Sequence, residues 1–355
     1  MVQPKQIRIL IVDDSFFMRK LLREMLENIG DMTIVGEAAN GVDAIGKAVA
    51  LKPDVITMDY NMPEMNGAES TKKILALNEM VKPAIIIISA YTKEGVAETI
   101  ECLRAGAVDF IQKPSGELSL DINKIKDEII IKIRAASHAK IKQYKGISDF
   151  NNIKKSENIN STSLNKLVII GSSTGGPPIV ENIIAELPND LDACVVVVQH
   201  MPKYFTTTFS KRLNLIAAIP VKEAETNNQL FDRSIFVAPG NSDICFVSKS
   251  QNNLFISIIP SDLDRGIHPS INLAMESASH LFSKNVIGVI LSGMGEDGTK
   301  GCELIKNNCG IVIAQDPKTA VISSMPESAI AKGIVDYVLP PELIAKKITE
   351  LCKKI

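Results

Sequence analysis

Short apolar runs recur along the chain, and most are followed by stretches in which apolar residues return every three or four positions. Up to about residue 140 the runs are "IRILIV" (7–12), "TIVGEA" (33–38), "DVITMD" (54–59), "AIIIIS" (84–89) and "VDFIQK" (108–113). After the first of them Met18, Leu21, Leu22, Met25, Leu26 and Ile29 fall at helical spacing. Strands alternating with helices predict an α/β fold with a doubly wound parallel sheet, whose ligand site lies beyond the carboxyl ends of the strands.

The pattern collapses between Lys142 and Lys166, where "KQYKGISDFNNIKKSENINSTSLNK" is rich in Asn, Ser and Lys and reads as a linker. Alternation then resumes with "KLVIIG" (166–171), "ACVVVVQH" (193–200), "NVIGVILSG" (285–293), "GIVIAQ" (310–315) and "IVDYVL" (334–339). A second α/β domain with a parallel sheet is therefore predicted. Between about 220 and 260, "SIFVAPG", "DICFV" and "LFISII" lie close together with turn residues between them, as an antiparallel insert or edge hairpin would. The closing "IAKKITELCKKI" has the pattern of an amphipathic helix. The expected division is a first domain over 1–125, a terminal helix and linker over 126–165, and a second domain over 166–355.

Composition narrows the class. A net charge of −2 with 45% apolar residues suits an ordinary globular protein and implies no polyanion, so no nucleic-acid partner is expected. The six cysteines form no CxxC pair, which points to reduced thiols rather than a zinc site or a disulfide framework. The run at 84–90 is far shorter than the roughly 20 residues of a membrane span. The N-terminal "MVQPKQIRILIVDDS" lacks the apolar region of a signal peptide. A cytoplasmic protein without direct membrane insertion is expected.

In the first domain Asp13 and Asp14 follow the first strand, Asp59 ends the third, Ser89 the fourth and Lys113 the fifth. A parallel sheet gathers these side chains at one edge. Three carboxylates there repel one another unless a hard divalent cation joins them. The set suits phosphoryl transfer to a carboxylate: two acids hold the cation, one attacks, and the lysine and hydroxyl receive the phosphate oxygens. The plainer reading is that each acid caps the following helix, as Asp14 before "SFFMRKLL" could.

The stretches "LIVDDS", "DVITMDYNMPEMNG", "IIIISA" and "DFIQKPSG" resemble a response-regulator receiver domain over about 1–125. The resemblance implies a flavodoxin-like fold with Asp59 as phosphoacceptor, Mg2+ held by Asp13, Asp14, Asp59 and the carbonyl of Asn61, and Ser89 and Lys113 as switch hydroxyl and phosphate-contacting lysine. Asn66 stands where the family more often has Asp, and it should bear on loop capping more than on chemistry.

In the second domain "LVIIGSSTGGPPIVENII" (167–184) is a strand, a glycine-rich turn and a helix start. Such a turn can cradle phosphates, but the order Gly171, Ser172, Ser173, Thr174, Gly175, Gly176 fits neither G-x-G-x-x-G nor the Walker pattern. It can also present a serine beside backbone amides that stabilise an oxyanion. A serine nucleophile needs a base, and the base an orienting group. Of the four histidines, His138 borders the linker, His280 sits in the helical pattern "SINLAMESASHLF", and His268 in "DRGIHPSIN" reads as a loop or cap residue. His200 ends a strand, at the edge that carries the serines. "VIGVILSGMGEDGTKG" (286–301) ends another strand and supplies Glu296 and Asp297. Strand-end position thus selects Ser172 or Ser173, His200, and Glu296 or Asp297.

"IIGSSTGGP", "VVVQHMP", "VAPG", "LSGMGEDG", "AQDPKTAVISSMPESAI" and "GIVDYVLP" resemble, in order, the catalytic domain of the chemotaxis protein-glutamate methylesterase/protein-glutamine glutaminase family over about 166–350. The resemblance implies Ser173 as nucleophile, His200 as base and acid, Asp297 as orienting acid, the Met294 amide as an oxyanion donor and Thr174 in the same turn. It implies a Rossmann-like α/β esterase that needs no cofactor of its own and acts on glutamate methyl esters and glutamines of methyl-accepting chemotaxis receptors. A chemotaxis histidine kinase would be the phosphoryl donor. Ser172 departs from the usual alanine, and Glu296 adds an acid beside Asp297. A partner-binding regulator and a nucleotide-dependent oxidoreductase are the rival classes.

Overall fold

The computed structural model describes residues 6–77, 81–89, 92–113, 121–141, 163–250, 253–260 and 266–353. Most of the expected linker (142–162), and Pro114 after Lys113, lie outside them. The chain divides into two compact units, 1–144 and 145–355.

The first unit runs β1 (Ile7–Val12), α1 (Phe16–Leu26), β2 (Met32–Ala38), α2 (Gly41–Leu51), β3 (Val55–Asp59), α3 (Gly67–Ala76), β4 (Ala84–Ser89), α4 (Lys93–Ala105), β5 (Asp109–Gln112) and α5 (Asp121–Ser137). The strands pair in parallel in the order β2-β1-β3-β4-β5. Helices cover both faces, so the central strands can be apolar throughout: Ile9, Leu10 and Ile11, and Ile85 to Ile87, are fully buried. Helix starts are fixed by side-chain oxygens at Ser15, Asn40, Asn66 and Thr92. Asn66 is among these caps, accepting from the Glu69 amide at 2.8 Å. Asp14 is not the cap of α1; Ser15 is, and its amide in turn donates to Asp13 Oδ1 at 2.9 Å. The order reverses at β1, which lies between β2 and β3, so the crevice of a doubly wound sheet opens at the ends of β1 and β3.

The second unit runs β6 (Leu167–Ser172), α6 (Pro177–Glu186), β7 (Cys194–Gln199), α7 (Phe205–Ile216), β8 (Val221–Glu223), β9 (Ser234–Val237), β10 (Ser242–Ser250), β11 (Asn253–Pro260), α8 (Ile271–Phe282), β12 (Val286–Ile290), α9 (Thr299–Asn307), β13 (Ile311–Gln315), α10 (Ser324–Ala331), β14 (Tyr337–Leu339) and α11 (Pro341–Cys352). Its seven-stranded sheet has the order β14-β13-β12-β6-β7-β9-β8, and every pairing in it is parallel.

The antiparallel insert is smaller than expected. Only β10 and β11 form a separate antiparallel hairpin, whereas "SIFV" of β9 joins the main sheet parallel to β7 and β8. The hairpin lies over α8: Ile244, Phe246, Leu254 and Ile256 share one core with Ile271, Ala274 and Met275. The closing helix α11 buries Ile344, Ala345, Ile348 and Cys352. No helix among the described residues is long and apolar enough to cross a membrane.

Candidate active site

Two strand-end clusters carry chemistry. In the first unit, Asp13, Asp14 and Asp59 bring their carboxylates within 4.8 Å of one another. Lys113 Nζ lies 2.9 Å from Asp13 Oδ2 and 2.9 Å from Asp59 Oδ2; the contact with Asp13 is an ion pair without hydrogen-bond alignment. Burial, and then the neighbouring Asp13 charge, push the Asp59 carboxyl up to about 6. Burial also works against the Lys113 ammonium, but Asp59 and Asp13 more than offset it and push its pKa up. This is the donor set a hard divalent cation takes: all oxygen, crowded, and with one acid held partly protonated in the cation's absence. Asn61 is exposed, and its side chain donates to Glu98 Oε2 at 2.9 Å. Ser89 is buried; its Oγ donates to the Gly95 carbonyl at 3.1 Å and accepts from Thr99 Oγ1 at 2.6 Å, both on α4.

In the second unit, β6 and β7 pair up to Ser172 and Gln199, and His200 N donates to the Ser172 carbonyl at 3.0 Å. Ser173 and His200 therefore follow directly on adjacent strand ends, which in a parallel sheet run about 5 Å apart. The two serines part company here. Ser172 is fully buried, and its Oγ donates to Gln199 Oε1 at 2.5 Å. Ser173 stands one residue past the strand, half-buried, on the turn before α6. Gln199 Nε2 donates to the Ser173 carbonyl at 3.0 Å and to that of His200 at 3.3 Å, so one amide side chain braces both strand ends.

The turn is tied to the end of β12. Ser173 N donates to the Ser292 carbonyl at 3.0 Å, and Ser292 Oγ donates to the buried Thr174 carbonyl at 2.8 Å. Gly175 holds φ +73°, a left-handed conformation that glycine adopts without strain. Gly293 is demanded by space: a Cβ there would stand 2.0 Å from Met325 Sδ and 2.8 Å from Ser173 Cβ. Gly293 N donates to the Ile322 carbonyl and Gly295 N to Ser324 Oγ, leaving the Met294 amide between them with no acceptor among the described residues.

His200 and Asp297 meet. His200 Nε2 lies 2.9 Å from Asp297 Oδ2, and its Nδ1 is buried with no hydrogen-bond partner among the described residues, the Ser173 hydroxyl included. Asp297 also accepts from the amides of Ile271 (2.8 Å), Asn272 (3.0 Å) and Gly298 (3.0 Å). The first two open α8, whose positive end faces the carboxylate. Burial alone would raise the Asp297 pKa; the hydrogen bond and charge of His200, with the two helix amides, hold it below the usual carboxylate range. Glu296, the other acid in the motif, is exposed.

Of the remaining histidines, His138 and His280 are exposed, with His280 Nε2 3.9 Å from Glu276. His268 precedes the Ser270 cap of α8, and its Nδ1 lies 2.9 Å from both oxygens of Asp243. Gln199 and the amides of Ile271 and Asn272 escape sequence reasoning. Gln199 looks like the polar end of a strand, and backbone amides leave no mark in a sequence.

An acidic crevice on one parallel sheet and a serine turn beside a His–Asp pair on another define a response regulator joined to an α/β esterase. Residues 9–123 match the response regulator receiver domain, and residues 168–348 match the CheB methylesterase family. Over 346 residues the chain is 41% identical to the protein-glutamate methylesterase/protein-glutamine glutaminase of Thermotoga maritima, covering 97% of this chain and 98% of that protein. The protein of the same name from Methanococcus maripaludis is 41% identical over 369 residues, covering 99% of each. The crystal structure of the Thermotoga maritima CheB methylesterase catalytic domain superposes with a TM-score of 0.51 at 39% identity, covering 53% of this chain and 98% of that one. The chain belongs to the CheB methylesterase family and carries that family's enzyme domain behind a receiver domain.

Proposed function

We propose that this enzyme hydrolyses glutamate methyl esters and deamidates glutamines on methyl-accepting chemotaxis receptors, at their cytoplasmic side, with Ser173 as nucleophile. The observation that carries the reading is the His200–Asp297 pair beside the serine turn: Asp297 holds one ring nitrogen, and the other is left without a partner to exchange a proton. His200 Nδ1 takes the Ser173 proton as Oγ attacks the acyl carbon, and returns it to the leaving methoxide oxygen or amide nitrogen, so that methanol or ammonia departs. A water activated by the same nitrogen then cleaves the acyl-enzyme, and glutamate is the product in both cases. The Met294 amide faces the developing oxyanion. Positioned proton transfer contributes about 10²–10⁴-fold and each oxyanion donor roughly 10²–10³-fold.

Phosphorylation of Asp59 by a chemotaxis histidine kinase controls this turnover in our reading. Asp13, Asp14 and Asp59, with the carbonyl of Asn61, would hold Mg2+, which neutralises the crowded acids and the incoming phosphoryl oxygens. Lys113, already between Asp13 and Asp59, is placed to meet the phosphoryl group, and Ser89 would leave its α4 partners to do so. The test is methanol release from methylated receptor, with and without a phosphodonor. Ser173→Ala should abolish release, and Asp59→Asn should remove only the phosphodonor's stimulation. Undiminished release by Ser173→Ala would end the hydrolase reading.

A further inference from the structure

Two carboxylates grip one short segment, residues 268–272. Asp297 takes the amides of Ile271 and Asn272, and its Oδ1 lies 3.5 Å from Ser270 Oγ. Asp243, on β10, takes the amide one peptide earlier, that of Ser270, at 2.7 Å. The same Asp243 holds His268 Nδ1 with both oxygens at 2.9 Å. Asp243 is buried, so its charge depends on these donors. His268 Nε2 is buried without a partner among the described residues. The pair is a second His–carboxylate contact at the α8 N-terminus, made through Nδ1 where His200 uses Nε2.

A helix start leaves several backbone N–H groups without intrahelical acceptors. Here they are shared out: Asp243 has the Ser270 amide, Asp297 has those of Ile271 and Asn272, and Ser270 Oγ accepts from Leu273 at 3.3 Å. Without Asp243 the Ser270 amide is orphaned, and Asp297, already beside the Ser270 hydroxyl, is the carboxylate that could turn to meet it. Turning would take Oδ2 off His200.

We propose that Asp243 and His268 are positioning residues for ester hydrolysis: His268 steadies Asp243, Asp243 fixes the first peptide of α8, and the next two amides keep Asp297 aimed at His200. This rests on the reading of Ser173, His200 and Asp297 given above. It also gives the β10–β11 hairpin a part in catalysis, because β10 carries Asp243. The titratable groups hydrogen-bonded to the 268–272 segment among the described residues are Asp243, His268 and Asp297, with His200 beyond Asp297.

The test compares full-length wild type with Asp243→Asn, His268→Leu, His268→Asn and Ser173→Ala in receptor methanol release across pH, with thermal unfolding measured alongside. Misplacement of a catalytic group by about 1 Å can cost about 10²-fold. Asp243→Asn and His268→Leu should therefore lower kcat by about 10- to 100-fold with KM nearly unchanged. Their pH profiles should differ in shape from that of wild type, because Asp297 no longer faces His200 squarely. His268→Asn, whose amide nitrogen can stand where Nδ1 stands, should recover most of kcat. Wild-type kcat and pH profile in both variants, even with a lower Tm, would overturn the proposal and leave the pair as a fastener for the hairpin. If Asp243→Asn does not fold, His268→Leu against His268→Asn decides alone, since equal activity in the two also overturns it. Ser173→Ala separates the failures: its retained activity defeats the site reading, while its loss of activity beside unmoved profiles defeats only the positioning role.

Discussion

Ser172 Oγ donates to Gln199 Oε1 at 2.5 Å inside the sheet, so of two adjacent serines one is consumed by structure and the other is left at the rim. The consequence is a sharp contrast between two single-atom deletions. Ser173→Ala should lower receptor methanol release by several orders of magnitude, as loss of a nucleophile in a concerted set does, about 10⁶-fold at the extreme. Ser172→Ala should keep kcat within about tenfold and lower stability by roughly 1 kcal/mol, the net worth of a hydrogen bond. Steady-state kinetics and chemical denaturation of the two variants check both statements.

Asp297 and Glu296 should separate as cleanly. Asp297→Asn removes the charge facing His200 and should cost on the order of 10⁴-fold in kcat, whereas exposed Glu296→Gln should leave it unchanged. The Asp297 pKa is lowered in the folded state. Its contribution to stability is therefore present above the ordinary carboxylate value, about 3.9, and is lost as pH falls below that value. Acid unfolding of the second unit should be less steep in Asp297→Asn as pH falls below about 4.

Asp59 works against the fold that holds it. Burial raises Asp59 from 3.8 to about 6, a difference worth about 3 kcal/mol. The sign is that of a buried acid: the cost is absent below pH about 4, grows between the two values and is complete above 6. Asp59→Asn should therefore raise the Tm of the receiver transition at neutral pH and give no gain near pH 4. Mg2+ should stabilise wild type at neutral pH and Asp59→Asn much less. Calorimetry of the full chain with and without Mg2+ measures all of this.

Gly293 is the point where the β12 end touches the serine turn. A methyl group there meets the buried Met325 and Ser173 Cβ. Gly293→Ala should cost about 1–3 kcal/mol of stability, as overpacking does, and should lower kcat at unchanged expression of the receiver functions, read as Mg2+-dependent phosphorylation.

Long apolar strands were legible because helices bury both faces: "IRILIV" and "AIIIIS" coincide with β1 and β4. Ser173 and His200 were legible because a parallel sheet sends the residue after each strand to one edge; Asp297 lies seven residues past the end of β12 and meets His200 from the loop, held by the α8 amides. Three things were not legible. The strand "VKE" of β8 is three residues with one buried apolar position, too short for any period to show. "SIFV" of β9 reads alike whether paired parallel or antiparallel, and only its place beside β7 decides. The cage around Asp297 is made of the Ile271, Asn272 and Gly298 amides, which any residue but proline would supply.

In the proposed reaction Ser173, with His200 as its base, attacks the substrate carbonyl. Serine-directed phosphonate labelling of the full chain, followed by peptide mapping, tests it most directly. One adduct is expected, on Ser173, that is lost in Ser173→Ala, retained in Ser172→Ala and slowed by orders of magnitude in His200→Gln. An adduct on Ser172, or labelling of Ser173 at an undiminished rate without His200, would contradict it.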